Sequence, residues 1–180
     1  VTINNDASFC NGSQIWGVSY DESTDSMYLK CWVEAAKSPV GLTGTHILKA
    51  NRVGTDYSHF VFPSDQSELN AVNNYRPAGW RLDPTQPSVI NTTAGRYLFF
   101  VTGGGFPSTS KINVAKFNTS TGKWEVRVED QTILDNVNTD HFEGLPKVTD
   151  NGLTLYFTAD YNRPCTSCAC DNIWIYLEGS

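Results

Sequence analysis

The sequence predicts an all-β chain of propeller-like blades, about three antiparallel sheets forming an incomplete ring within one domain of residues 1–180, with a β-sandwich as the alternative. Three observations predict it. A strand–turn–strand pattern occurs three times: Trp16-Gly-Val-Ser-Tyr-Asp-Glu-Ser-Thr-Asp-Ser-Met-Tyr-Leu29, Gln86-Pro-Ser-Val-Ile-Asn-Thr-Thr-Ala-Gly-Arg-Tyr-Leu-Phe-Phe100 and Gly144-Leu-Pro-Lys-Val-Thr-Asp-Asn-Gly-Leu-Thr-Leu-Tyr-Phe157. Each is followed by a loop and a third apolar strand, and self-similarity at roughly 60–70 residues marks an array of repeated sheets. Apolar residues alternate or form short runs bounded by Gly, Asn, Asp, Ser or Pro, and those runs are rich in Val, Ile, Tyr, Phe, Thr and Trp, which fit a pleated surface.

Blade one is expected over roughly 15–62, with strands near 15–19, 27–33, 45–50 and 58–62. The connector at roughly 63–87 is polar and carries one short helix, Asp65–Asn74, which stops before Arg76-Pro77. Blade two spans roughly 88–128, with strands near 88–90, 96–102, 111–117 and 123–128. The segment at roughly 129–144 reads as a second polar connector, and blade three runs from about 145 to 180 with strands near 146–149, 153–159 and 172–177. Gly95, Gly122 and Gly152 stand where hairpins need tight turns. Tyr28, Phe99 and Tyr156 take equivalent places in the second strands, where large rings fill the wedge between blades. Trp16, Trp124 and Trp174 do the same from other strands.

Known propellers close with four or more blades, so three leave open edges, and open edges seek partners. Either the sequence is a piece of a longer polypeptide, or the expected partners, other copies of the chain or another chain, complete the blades. A neighbour's Val1-Thr-Ile3 is one candidate for the missing fourth strand of blade three.

The segment Pro146-Lys-Val-Thr-Asp-Asn-Gly-Leu-Thr-Leu-Tyr-Phe157, with Asp171-Asn-Ile-Trp-Ile175 after it, resembles the blade repeat of TolB-like propellers. Blade two resembles kelch blades, through Gly103-Gly104-Gly105 after the second strand and the Phe117, Thr121 and Trp124 hairpin. The two resemblances cover about two thirds of the chain and imply a fold. Their motifs serve strand packing and imply no activity.

Charge and cysteines bound the function. Against 13 Lys+Arg stand 19 Asp+Glu, a formal charge of −6, with no basic run. This argues against nucleic acid, whose ligands cluster positive charge. No apolar stretch reaches the ~18 residues of a membrane span. Five cysteines, three sequons at Asn11, Asn91 and Asn118, and a first residue Val1 in place of Met predict a processed, secreted glycoprotein. Cys165-Thr-Ser-Cys168-Ala-Cys170 lacks the fourth ligand of a zinc site, so no metal is expected there. A disulfide within that loop and a second between Cys10 and Cys31 leave one of Cys165, Cys168 or Cys170 over, free or joined to another chain; Cys165 and Cys170 are assigned to the bridge and Cys168 to the odd thiol. No cofactor is expected. Asn4-Asn5-Asp6 and the Asp/Asn residues of 135–140 offer oxygens to Ca2+ but lack the regular loop spacing, and read as turn formers.

No catalytic residue is fixed by motif. His141-Phe-Glu143-Gly144 and the segment around Asp83 resemble carboxylate-bearing segments of five-bladed glycoside hydrolases, which implies Glu143 as an acid and Asp83 as a second carboxylate. The competing reading makes both solvated loop carboxylates. Tyr75 and Trp80, with Tyr57, fall near loops beside polar side chains and are the ligand-binding candidates. The expected function is binding of carbohydrate or protein, or extracellular assembly, with propeller-type glycoside hydrolysis as the alternative.

Overall fold

The computed structural model describes residues 2–3, 15–34, 36, 43–55, 57, 59–76, 83–103, 110–139, 142–149, 154–159 and 172–177, and of 2–3, 16 and 172–177 the backbone alone. The chain is predominantly β and forms three open sheets. The first holds β1 (Thr2–Ile3), β2 (Trp16–Asp21), β3 (Ser26–Val33), β4 (Gly44–Arg52) and β5 (His59–Val61) in the order β1-β5-β4-β3-β2. The second is the meander β6 (Thr85–Thr92), β7 (Gly95–Gly103), β8 (Ser110–Asn118), β9 (Lys123–Glu125). The third is β10 (Glu143–Val148), β11 (Thr154–Ala159), β12 (Asn172–Leu177).

Three expectations are corrected. Thr2–Ile3 pairs parallel to β5 within its own first sheet and adds no strand to the third. The strand expected over 123–128 ends at Glu125, because helix α2 (Val128–Gln131) follows, its first turn carrying Glu129 and Asp130 where a helix N-terminus favours negative charge. The second connector is not wholly polar, since Leu134 and Val137 are buried. The short helix of the first connector is present as a 3-10 turn, Ser67–Leu69, running into α1 (Asn70–Asn74).

The hairpin turns follow from local chemistry. The Asp21 carboxylate accepts hydrogen bonds from Ser23 N (3.0 Å), Ser23 Oγ (2.7 Å) and Thr24 Oγ1 (2.9 Å), closing the β2–β3 turn. Asn118 Oδ1 accepts from Ser120 N (2.9 Å), and Gly122 closes the β8–β9 turn at φ +68°. Gly152 lies outside the described residues.

The three first strands share one irregularity. Pairing shifts by one residue between Trp16 and Ser19, between Thr85 and Ser88, and between Gly144 and Lys147. Each bulge contains a residue of left-handed backbone, Gly17 (φ +61°), Gln86 (+52°) and Leu145 (+49°). Beyond it, Ser19 faces Tyr28, Ser88 faces Phe99 and Lys147 faces Tyr156, so the three aromatics are equivalent by register. The bulged segments line one shared cavity of about 170 Å3. Gly17 is needed there, because a Cβ would stand 3.0 Å from Gln86 Cα as well as demanding positive φ.

The second sheet has both faces covered. Towards the first sheet, Val89, Leu98, Phe100, Ala115 and Trp124 pack with Tyr28 and Ile47. Towards the third sheet, Ile90, Phe99, Val101, Ile112 and Val114 pack with Val148, Leu155, Phe157 and Ala159. The aromatics are therefore divided between two interfaces and do not meet in one two-layer core. The interfaces share a polar contact: Val89 N donates to Ser19 Oγ (2.9 Å) and Val148 N to Ser88 Oγ (3.3 Å).

Both connectors use the same clamp. Lys49 N donates to Gln66 Oε1 and Gln66 Nε2 to Lys49 O, both at 2.9 Å, and Asn73 binds Ile47 N and O in the same way, again at 2.9 Å. One repeat later, Gln131 binds Val114 N (3.1 Å) and O (2.8 Å), and Asn138 binds Ile112 N (2.9 Å) and O (2.8 Å). A carboxamide carries the same donor and acceptor as a peptide, so it substitutes for a strand. The substitution is needed because β5 covers only Asn51 and Arg52 of β4, and β9 only 116–118 of β8, which leaves the rest of each third strand's edge open. Leu69 and Val72, then Leu134 and Val137, plug the sheet interfaces from the same segments.

Candidate functional site

The two candidate carboxylates occupy matching places. Asp83 precedes β6; its Oδ2 accepts from Thr45 N (2.6 Å) and its Oδ1 pairs with Arg76 Nη2 (2.7 Å). Gly44 permits this approach, since a Cβ there would lie 2.0 Å from Asp83 Oδ2. Glu143 opens β10 and is completely buried; its Oε1 accepts from Thr139 N (3.0 Å) and its Oε2 pairs with Lys111 Nζ (3.0 Å). Each acid ties the start of a third strand to the start of the next sheet, and all four oxygens accept a donor from this chain. Neither is a solvated loop carboxylate.

A cleft of about 330 Å3 opens where β3 ends and β4, β6 and β8 begin. Its lining includes Lys30, Trp32, Thr45, Asp83, Gln86 and Phe142. Glu143 is not among the lining residues, so the two carboxylates do not share this cleft. Trp32 is 48% exposed, a large indole surface beside polar groups. Partial burial pulls the Lys30 ammonium pKa down, opposed by the Asp83 charge. Gln86 Oε1 accepts from Leu145 N (2.7 Å), which fixes the side chain at the cleft wall. Trp32 is legible in the sequence only through the alternation of β3, where Met27, Leu29, Cys31 and Val33 take one face and Tyr28, Lys30 and Trp32 the other.

At the other end of the first interface lies a buried ionic chain. Asp21 Oδ2 and Arg96 Nε are 2.8 Å apart, Asn91 Nδ2 donates to Asp21 Oδ1 (2.9 Å), and Arg96 Nη2 donates to the Tyr28 hydroxyl. Tyr28 in turn donates to Glu68 (3.0 Å), which pairs with Lys49 (2.9 Å). The Arg96 guanidinium lies over the rings of Phe117 (4.4 Å) and Trp124 (4.7 Å). Burial alone pushes the Asp21 carboxyl up, but hydrogen bonds from Ser23 and Asn91 and the Arg96 charge outweigh it and hold the pKa below the ordinary value. A lowered folded-state pKa gives stability that is complete above the unfolded value of about 3.9 and is lost as pH falls through the folded value. Urea midpoints measured from about pH 6 to about pH 2 are expected to fall most steeply below about pH 4, and Asp21→Asn to flatten that fall; an unchanged slope contradicts the assignment.

Of the aromatic ligand-binding candidates, Tyr75 is half-buried and edge-on to Phe100 (6.0 Å) within the first interface. Tyr57 is exposed, with the Arg52 guanidinium over its ring (4.6 Å), and Trp80 lies outside the described residues. Asn91 is exposed at the end of β6, and Asn118 sits in the β8–β9 turn; Asn11 lies outside the described residues. Cys31 is disulfide-bonded and sits in the apolar cluster on the outer face of the first sheet. Cys10, Cys165, Cys168 and Cys170 lie outside the described residues. Among the described residues no group of three or more His, Cys, Asp or Glu could hold a metal ion, and no helix is long and apolar enough to cross a membrane. Compared with protein-family models, curated proteins and solved structures, the chain gives no match.

Proposed function

We propose that the chain is a secreted glycoprotein of propeller-like sheets that acts by binding, and that its ligand is a carbohydrate held in the cleft at Trp32. The observation that carries this reading is the exposed Trp32 indole standing in a preformed cleft with Thr45, Asp83 and Gln86. A pyranose ring has an apolar C–H face that stacks on an indole and hydroxyls that need fixed donors and acceptors at its rim. The propeller-like arrangement is supported by three bulged first strands around a common cavity and by one contact scheme repeated at two sheet interfaces. Secretion is supported by the Cys31 disulfide and by sequons at an exposed strand end and a turn.

Glycoside hydrolysis is less well supported. It requires two carboxyl groups facing one cleft. Asp83 is the sole acidic side chain among the described residues that line this one.

The test is retention of the 180-residue protein on a printed array of neutral and acidic oligosaccharides. Binding to at least one is expected, and Trp32→Ala is expected to weaken it roughly tenfold, with Trp32→Phe intermediate. Retention on no glycan, or Trp32→Ala binding as tightly as the unsubstituted protein, would overturn the reading.

A further inference from the structure

We infer that the outer edge of β12 and the adjoining face of the third sheet form a docking surface for a segment of the pattern Gln-x2-Leu-x2-Val-Asn, a further copy of the clamp this chain carries twice. The inference rests on the stacked-sheet reading and is independent of the saccharide cleft.

The two internal interfaces give the parts list. In each, a connector reading Gln-Ser-Glu-Leu-Asn-Ala-Val-Asn (66–73) or Gln-Thr-Ile-Leu-Asp-Asn-Val-Asn (131–138) follows the sheet it clamps. Its Gln and Asn bind the peptide groups of two alternate residues on the third strand, 49 and 47 or 114 and 112. Its Leu and Val are buried between the sheets. The second-strand aromatic is covered as well: Tyr28 is 0% exposed and Phe99 8%.

The third sheet repeats the receptor half of this scheme. Tyr28 pairs with Lys49, Phe99 with Val114 and Tyr156 with Ile175. Ile175 therefore takes the place of Lys49 and Val114, and Ile173 that of Ile47 and Ile112. Strand register fixes which peptide groups point outward, so the N–H and C=O of Ile173 and Ile175 face the free side of β12, the edge strand of its sheet. No described residue pairs with that side. Tyr156, the equivalent of two buried rings, is 37% exposed. A Gln and an Asn seven residues apart satisfy the four backbone groups, and the Leu and Val between them cover Tyr156. A folded second copy cannot supply the segment, because both of its connectors are engaged at its own interfaces.

The test titrates the 15N-labelled 180-residue protein with the synthetic peptide Gln-Thr-Ile-Leu-Asp-Asn-Val-Asn and follows backbone amide shifts. Saturable shifts at Ile173, Ile175 and Tyr156 are expected. A peptide carrying Gln131→Ala and Asn138→Ala lacks all four hydrogen bonds and is expected to bind at least roughly tenfold more weakly. Absence of shifts at those amides, or equal shifts with both peptides, would overturn the inference. So would concentration-dependent shifts at the same amides without peptide that the peptide does not compete away, which would assign the surface to a second copy. Peptide binding by a protein that retains no glycan would remove the saccharide reading and leave this one standing.

Discussion

Arg96→Met is expected to lower the free energy of unfolding by about 3 kcal/mol, the lower part of the range for breaking a buried ion pair. The Arg96 side chain is 12% exposed and that of Asp21 is completely buried, so solvent does little to screen the pair. Methionine fills much of the arginine stem's volume, which isolates the loss of charge from a cavity effect. The residual Asp21 carboxylate keeps its bonds from Ser23, Thr24 and Asn91, which is why the loss stays near 3 kcal/mol and not higher. Tyr28 loses a donor to its hydroxyl, and the space between Phe117 and Trp124 loses its cation. Equilibrium urea unfolding checks this, and a midpoint shift worth less than about 1 kcal/mol would show that the pair is solvated.

Glu143→Ala is expected to cost about as much, roughly 3–5 kcal/mol, because it removes one partner of a buried pair and leaves the other. Lys111, with a side chain 19% exposed, would keep a largely desolvated ammonium, and Thr139 N would lose its acceptor. If Lys111→Met is added, the double variant is expected to be more stable than Glu143→Ala alone, since the stranded charge is gone. Additive losses in that cycle would deny the coupling. The same experiment bears on the enzyme alternative: a carboxylate whose removal mainly unfolds the protein is bracing the sheets.

Most of the strand framework was legible because its signals are local. Alternation in β3, β7 and β11 and the polar turns between them placed nearly every strand within a few residues of its observed bounds, and Tyr28, Phe99 and Tyr156 aligned from sequence as they do by register. The clamps were missed although their pattern stands in the text twice. Gln66 and Gln131 are polar residues in polar segments, and only the tertiary fold shows that they take the role of a strand. The first-strand bulges were also missed, because Gln86 and Leu145 have no local preference for left-handed backbone; the surrounding sheets impose it. Glu143 was misread as a loop residue for the same reason, since its ion pair with Lys111 links positions 32 apart. Trp32 stands among apolar residues, and only the alternation of β3 sets it on the face opposite Cys31 and Val33.

The clamps bear on how the protein behaves at high concentration. A bare strand edge is a template on which other chains extend a cross-β ladder. Carboxamides held against β4 and β8 saturate those templates without offering a new one, because a side chain has no successive peptide to continue the ladder. Fibril-forming tendency is thereby suppressed along the clamped stretches of two of the three third strands.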